Sequence, residues 1–306
     1  MSEPIVVPGS NAYRSPNDHP VVTIGNFDGV HRGHRALVSA AVTQANDLGV
    51  PACVYTFDPA PRDVLRPGNP VPRIQSLEDK IRLLGTLGVD CVIVEPFTLD
   101  FGRHGGQWFA KEVLTRRLGA SAVVVGWDFR FGAGREGTVE ALRDWVNVPV
   151  TQVNALQSDD GVISSSRIRG ALAEGRVEEA TALLARPHSV RGTVVHGQAR
   201  GRTLGIRTAN LEKLIGLVPG DGVYAVTAVV GPVEYKAVAN IGSRPSFPGA
   251  GRSVEVHLLD VETNVYGTHM TVHWHHRLRD EQTFASPAAL VAQIGNDIVA
   301  ARTLLS

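Results

Sequence analysis

Two histidines three residues apart, His31 and His34, fall in the string GNFDGVHRGH over residues 25–34. Imidazoles at that spacing face one ligand if the turn between them is helical. They can then donate hydrogen bonds to phosphate oxygens and stabilise charge developing at phosphorus. Gly25, Gly29 and Gly33 permit a tight backbone route and close ligand approach, and carry Asn26, Phe27 and Asp28 with them. A helix starting here would add unsatisfied N–H groups, a ready anion site. Two plainer readings stand beside this one: a structural pair of turn histidines, and a metal site, for which no third Cys or His lies near.

Other residues carry similar chemistry. In ISSSRIR, residues 163–169, the hydroxyls of Ser164, Ser165 and Ser166 and the guanidiniums of Arg167 and Arg169 could form a second phosphate clamp. Alone, the serines read equally as a helix cap and Arg167 as a solvated surface group. Further on, GQARGRTLGIRTAN spans residues 197–210. Gly197, Gly201 and Gly205, with Arg202 among them, allow a close phosphate-binding loop, although it is not the GxxxxGK[ST] loop. The Thr208 hydroxyl and Asn210 carbonyl suit a magnesium-bound nucleotide phosphate. Glycine turns and a structural Asn are the alternative. His273 and His275 share a face if their segment is a strand, yet no carboxylate or thiolate partner is evident, so surface or packing roles are expected for them and for His276.

The elements that must position these residues show two rhythms. Up to about residue 185, short Val/Ile-rich strands alternate with helices: Val21–Asn26, Pro51–Phe57, Cys91–Phe97, Ala122–Gly126 and Val148–Val153 against helices over Gly33–Leu48, Leu77–Leu87, Gln107–Leu118 and Thr138–Trp145. Ser76 caps the second helix in this reading. Residues 1–20 look irregular, and Ser166–Glu174 and Val177–Leu184 close the half as two short helices. Near-continuous apolar strands imply a parallel sheet covered on both faces. Ligands of such sheets sit beyond the C-terminal strand ends, here around residues 26–34, 58–66, 96–101 and 127–135. After Pro187, five short strands separated by Gly, Pro and Asn turns predict an antiparallel sheet or small barrel. A last helix starts at the Ser286 cap with Pro287, its apolar side marked by Leu290, Ile294, Ile298 and Leu304. The expected domains are 1–186 and 187–306.

Composition narrows the function classes. Of 306 residues, 43% are hydrophobic, and thirty basic side chains balance thirty acidic ones. That excludes a disordered or collagenous chain and removes any global electrostatic case for nucleic acid. Cys53 and Cys91 lie in or beside apolar runs without CxxC or zinc spacing, so buried thiols are expected. The N-terminus lacks a signal-peptide pattern and no apolar run is long enough to span a bilayer, which makes the cytoplasm the default compartment and a membrane no partner.

Taken together, VVTIGNFDGVHRGHRALV, TFDPAP, VVVGWDFRFGAGREG and ISSSRIRGALAEG resemble the nucleotidyltransferase superfamily with its HxGH and ISSTxxR motifs. The closer resemblance is to the bacterial bifunctional riboflavin kinase/FAD synthetase family. GVYAV, NIGSRPSF, VEVHLLD and RLRDEQTF look like its riboflavin kinase signatures, and the likeness runs over about residues 20–303. It implies a Rossmann-like nucleotidyltransferase domain followed by a small antiparallel β-barrel kinase domain with a C-terminal helix. It also implies ATP and Mg²⁺ as co-substrate and metal, with riboflavin, FMN and FAD as substrate or product. By the same resemblance, His31 and His34 neutralise transition-state oxygens while Arg169 holds the β/γ-phosphates. Phe57, Asp58 and Pro59 form a flavin-side wall, and Asp128 and Phe129 lie near adenine or flavin. Glu255 becomes the base for the ribityl hydroxyl, Thr208 and Asn210 the metal and ATP positions, and Arg279 and Glu281 neighbours of the flavin. Unaided, Phe57 and Phe129 read as core, Asp58 and Asp128 as turn or cap residues, Glu255 as an outward strand charge, and Arg279 and Glu281 as an ion-pair network.

The chain departs from the family pattern at named places. Ala60 stands where FDPHP has His, Arg207 replaces the proline of PTAN, and Ser246 and Ser166 stand in threonine positions. Trp127 occupies a position where a smaller residue is frequent and could narrow the adenylylation pocket. Arg207 could loosen the kinase loop or give a new phosphate contact, since it does not fix φ as proline does.

Overall fold

The computed structural model describes residues 3–14, 18–195, 207–243, 252–261 and 265–306. The chain divides into two compact units, Met1–Ser164 and Ser165–Ser306. The expected boundary at 186–187 falls between the second helix of the latter unit and its first strand; the compact units part earlier, before the first helix.

In the first unit, six strands pair in parallel: β1 Ile5–Val7, β2 Val21–Ile24, β3 Ala52–Phe57, β4 Cys91–Glu95, β5 Ala122–Gly126 and β6 Val150–Val153. Their order is β1-β4-β3-β2-β5-β6. β2 is central, with Val22 in register with Cys53 on one side and Val123 on the other. All four residues of β2 are buried, as a strand covered on both faces requires. Alternate residues serve opposite layers. Val21 and Val54 pack with Leu37, Val38 and Ala41 of α1 (Arg32–Leu48). Val22, Tyr55 and Ile93 pack on the other face with Phe109, Val113 and Leu142.

The remaining helices follow the sequence closely. α2 (Pro61–Leu65) and α3 (Leu77–Gly85) precede β4, and the Ser76 hydroxyl caps α3 by accepting the Asp79 N–H at 3.0 Å. α4 (Leu99–Arg103) and α5 (Gly106–Trp108) lead into a π-helical stretch, Phe109–Arg117, and Thr138 caps α6 (Val139–Trp145). A small hairpin joins β7 (Gln157–Ser158) to β8 (Gly161–Val162). One expectation is corrected: the N-terminal segment is not wholly irregular. Ile5–Val7 adds to the sheet edge beside β4, with Ile5 opposite Cys91. Three apolar residues between prolines are too few to show a period, so the strand is visible only through its neighbour.

The second unit opens with α7 (Ser165–Ala173) and α8 (Val177–Leu184). Six antiparallel strands then close a barrel in the order β10-β13-β12-β11-β14-β9. They are β9 His188–Val195, β10 Ala209–Ile215, β11 Gly222–Val230, β12 Val233–Ser243, β13 Arg252–Leu258 and β14 His269–Arg279, followed by α9, Pro287–Leu304. The sequence reading found five of the six. β10 was absorbed into the glycine-rich motif that precedes it. Trp274 and Tyr224, both fully buried, meet edge to face at 5.2 Å. On the opposite face of β11 and β12, Val223, Ala225 and Val238 are covered by Ile298, Ala301 and Leu305. Leu304, expected on the apolar side of α9, is instead exposed. The step from Ile298 to Ala301 and then Leu305 keeps the helical spacing that Leu304 breaks.

Both cysteines are buried free thiols, as expected, and pair in register across β3 and β4. The mutual hydrogen bond and burial push the Cys53 thiol well up. His188 at the start of β9 is fully buried, and its Nε2 hydrogen-bonds the Leu217 carbonyl at 2.6 Å. Burial lowers its pKa to about 4. Between there and the ordinary value near 6.5 the unfolded chain binds the proton that the folded chain refuses, so stability falls as pH drops through that window. We predict a loss of about 3 kcal/mol from this group between pH 7 and pH 4. Urea unfolding across that range checks it, and His188→Leu should flatten that part of the slope.

Candidate active sites

Strand order reverses at β2. The chain steps from β2 to β3 and β4 on one side, then returns to β5 on the other. The crevice beyond the C-terminal ends of β2 and β5 is therefore the place where such a sheet takes a ligand. The loops flanking it are 25–31 and 127–131.

The first loop is built under constraint. Phe27 and Val30 hold positive φ values of 49° and 41°, and Gly29 takes 89°. For a β-branched residue such as Val30 this conformation costs about 1–2 kcal/mol and persists only where the surroundings dictate it. Both Phe27 and Val30 are fully buried. The loop ends at His31, whose extended backbone makes it the N-cap of α1. Its Nδ1 accepts the His34 N–H at 3.3 Å, and the two imidazoles stack with centroids 3.6 Å apart. The pair thus comes together at a helix start, with His31 outside the helix rather than within its first turn. A Cβ at Gly33 would lie 3.2 Å from the His31 ring, a tight contact that would push on the imidazole.

The structure sorts the other residues expected here. Phe27 lies edge-on to His34 at 5.2 Å and is wholly inside, where it supports the imidazole. The Asn26 carbonyl accepts the Thr56 hydroxyl at 3.3 Å. Asp28 accepts the Ile74 N–H at 3.1 Å, a structural bond that sequence alone did not show. Past β3, Phe57 packs edge-on with Tyr55 and Phe97, and Asp58 pairs with Arg73 at 2.6 Å, with Pro59 following by a cis peptide. Past β5, Asp128 is exposed and Phe129 stacks on Phe131 at 5.1 Å. Trp127 is 51% exposed. Ser164 ends the first unit; Ser165 and Ser166 begin α7, with half-buried Arg169 one turn on. Arg167 pairs with Glu179 at 2.9 Å, and so is not simply solvated.

The second unit holds a cleft of about 390 Å³ between the outer barrel face and α9. Register places Glu255 of β13 between Asn210 of β10 and Asn240 of β12. Glu255 does point outward from the barrel, but α9 and the segment after β14 roof that face, so the carboxylate lines an enclosure with Thr208 beside it. Arg279 reaches Asp297 of α9 through Nη2 at 2.8 Å and Nε at 3.0 Å, and lies over the Phe284 ring. Gln293 also donates to Asp297. Glu281 lies against Gly242, where a Cβ would fall 1.9 Å from its Oε1, so a larger residue there would swing the Glu281 side chain aside. Gly197, Gly201, Arg202, Gly205 and Ser246 lie outside the described residues.

Asn240 and Asp297 were missed as site residues. The signal for Asn240 lies in the strand alternation that places it opposite Glu255. Asp297 had the signal of an acid among the apolar positions of α9. Of the histidine cluster on β14, His275 Nε2 meets the Thr227 hydroxyl at 3.1 Å and burial lowers its pKa. His276 lies 3.4 Å from Glu178. Among the described residues no group of three or more His, Cys, Asp or Glu could hold a metal ion.

Comparison with known proteins matches residues 14–167 to an FAD synthetase family model and residues 184–305 to a riboflavin kinase family model. A bifunctional riboflavin kinase/FMN adenylyltransferase from Escherichia coli K12 is 39% identical over 296 residues, 95% of each chain. The chain belongs to this family. Relatives of the same description from Pseudomonas fluorescens and Bacillus subtilis are 40% and 38% identical, covering 93% and 90% of this chain. A solved structure from Streptococcus pneumoniae, described as a macrolide-efflux protein, superposes with a TM-score of 0.90 at 33% identity over 98% of this chain. Among the described residues of this chain no helix is long and apolar enough to cross a membrane.

Two departures from the family pattern can now be located. Arg207 is exposed and its carbonyl meets His257 Nδ1 at 2.8 Å. Trp127 stands at the crevice rim, beyond β5. Thr208 and Asn210 offer two neutral oxygens, and Asn210 is buried. That donor set fits Mg²⁺, which keeps waters and takes phosphate oxygens rather than needing an all-protein cage.

The Arg279–Asp297 pair is 15% and 5% exposed. Asp297→Ala strands a partly buried guanidinium. We predict a loss of about 3–5 kcal/mol, read as a lower midpoint of the second unit in thermal unfolding.

Proposed function

We propose that the chain phosphorylates riboflavin to FMN with ATP and then adenylylates FMN to FAD with a second ATP, releasing pyrophosphate. The observation that supports this most is the separation of two constellations: the His31–His34 stack at the sheet crevice, and Glu255 between two asparagines in the barrel cleft. The functional division follows at 1–186 and 187–306, with α7 serving adenylylation because it carries Ser165, Ser166 and Arg169. The ATP demand of both steps places the enzyme in the cytoplasm.

In adenylyl transfer, an FMN phosphate oxygen attacks the α-phosphorus of ATP and pyrophosphate leaves. No protein nucleophile or base is needed. His31 and His34 donate to the oxygens that gain charge, and Arg169 binds the β/γ-phosphates. Phe57, Asp58, Pro59, Asp128 and Phe129 border the flavin and adenine, with Gly25 to Gly29 giving close approach. In phosphorylation, Glu255 takes the proton from the ribityl 5′-hydroxyl as its oxygen attacks the γ-phosphorus and ADP leaves. Thr208 and Asn210 would hold Mg²⁺, which offsets phosphate charge when bound. Arg279, fixed by Asp297, and Glu281 border the flavin.

The test supplies purified protein with riboflavin, ATP and Mg²⁺ and separates FMN, FAD, ADP and pyrophosphate. FMN should appear first and FAD after it. His31→Ala should cut FAD formation by roughly 10²–10³-fold and spare FMN formation. Glu255→Gln should cut FMN formation by roughly 10²–10⁴-fold and spare adenylylation of supplied FMN. Loss of both reactions in either folded variant would contradict separate sites.

A further inference from the structure

Lys80 is a charged side chain that the mechanism above does not use, and it is 8% exposed. It sits at the end of the first turn of α3, beside Asp28 of the loop that leads to His31. Its Nζ donates to the Thr56 hydroxyl at 3.3 Å, and that hydroxyl in turn donates to the Asn26 carbonyl at 3.3 Å. Thr56 is fully buried. The charged groups that face the ammonium come from three places: Asp28 in the loop after β2, Asp58 after β3, and Arg73 in the segment leading to α3. Asp28 also takes the Ile74 N–H through both oxygens, at 3.1 and 3.2 Å, and Arg73 holds Asp58 at 2.6 Å.

We infer that Lys80 is a positioning residue for adenylyl transfer, its buried ammonium fixing Asn26 through Thr56, and Asp28 by charge, so that the strained 25–31 loop aims His31 and His34. The inference rests on the reading of the His31–His34 pair given above. A loop with Phe27 and Val30 at positive φ relaxes unless its surroundings over-determine it. Asn26 and Asp28 flank Phe27, and both are tied to the groups around Lys80. An amine in this place costs desolvation, which a residue with only a packing role, such as Met or Leu, would avoid. Burial accordingly lowers the pKa to about 8, against the opposing pull of Asp28 and Asp58. The charged form is therefore held at neutral pH and lost within an accessible range above it.

The experiment compares wild type with Lys80→Met and Thr56→Val in the full chain. FAD formation from supplied FMN, FMN formation from riboflavin, and the His31 and His34 ring signals in nuclear magnetic resonance are each recorded. Lys80→Met should lower kcat for adenylylation by about 100-fold, the scale of a misplaced catalytic group, while FMN formation stays within about twofold. Thr56→Val should lower the same kcat, and the double variant should be no slower than Lys80→Met alone, because both cut one chain of contacts. The wild-type adenylylation rate should decline with an apparent pKa near 8, and that limb should vanish in Lys80→Met. Both ring signals should shift in each single variant. A folded Lys80→Met with unchanged adenylylation and unmoved ring signals overturns the inference. If that variant does not fold, Thr56→Val decides by the same two measurements. A wild type that makes no FAD defeats the reading of the site instead, and the ring signals still judge the positioning role.

Discussion

A chain with no net charge does not draw polyphosphates through its overall field, so each group that meets a phosphate has to be placed individually. In the first unit that placement depends on the reversal of strand order at β2. A parallel strand must hand the chain to a helix at its C-terminal end, and the reversal leaves that end open beside β5. Loop 25–31 turns into α1 over the opening. His31 then serves twice, as cap accepting the His34 amide in the first turn of α1 and as the ring on which His34 stacks. The local cost is a backbone in the left-handed region at Phe27 and Val30, held by their complete burial.

The second unit solves the same problem without a helix start. A barrel strand presents alternate residues outward, so Asn210, Glu255 and Asn240 line up across three strands by register alone. An outward face would leave a carboxylate in water. α9 changes that by laying Leu290 and Ile294 over the face, while Asp297 draws in Arg279. The roof is thus held by apolar contact at Ile298 and Ala301 and by a buried ion pair nearer the cleft.

Much of this was legible in the residues. Caps at Ser76 and Ser286 fall where short polar side chains precede apolar periodicity, because the physics of a helix start is local. The β-branched runs of β3 and β5 needed no partner to be recognised. Ile5–Val7 was not legible, since a three-residue edge strand is defined by β4 alone. The Rossmann-like order and the barrel closure came through family resemblance rather than through period. Within the sites, His31 and His34 stood out by residue type and spacing, and Glu255 only by the family resemblance. Asp297 and Lys80 did not, because an acid or a lysine on an amphipathic helix reads as solvent-facing until the fold brings Arg279, or Thr56 and Asp28, against it. The bond from the Ile74 amide to Asp28 was likewise not legible, since it joins segments far apart in the chain.

The two sites differ in kind because their nucleophiles differ. A phosphate oxygen is already anionic when it attacks phosphorus, so the group that helps must be a donor for the oxygens that gain charge. A helix start with two stacked imidazoles supplies donors and no competing carboxylate within the pair. A ribityl hydroxyl carries a proton that must leave as the new bond forms, so the helping group must be an acceptor. Glu255 offers one in the proposed mechanism, standing in register between Asn210 and Asn240. A carboxylate in place of the imidazoles would repel the attacking phosphate in the first unit. The sheet crevice and the barrel face are thus matched to the protonation state of what attacks, which is why one chain needs both architectures to run two displacements at phosphorus.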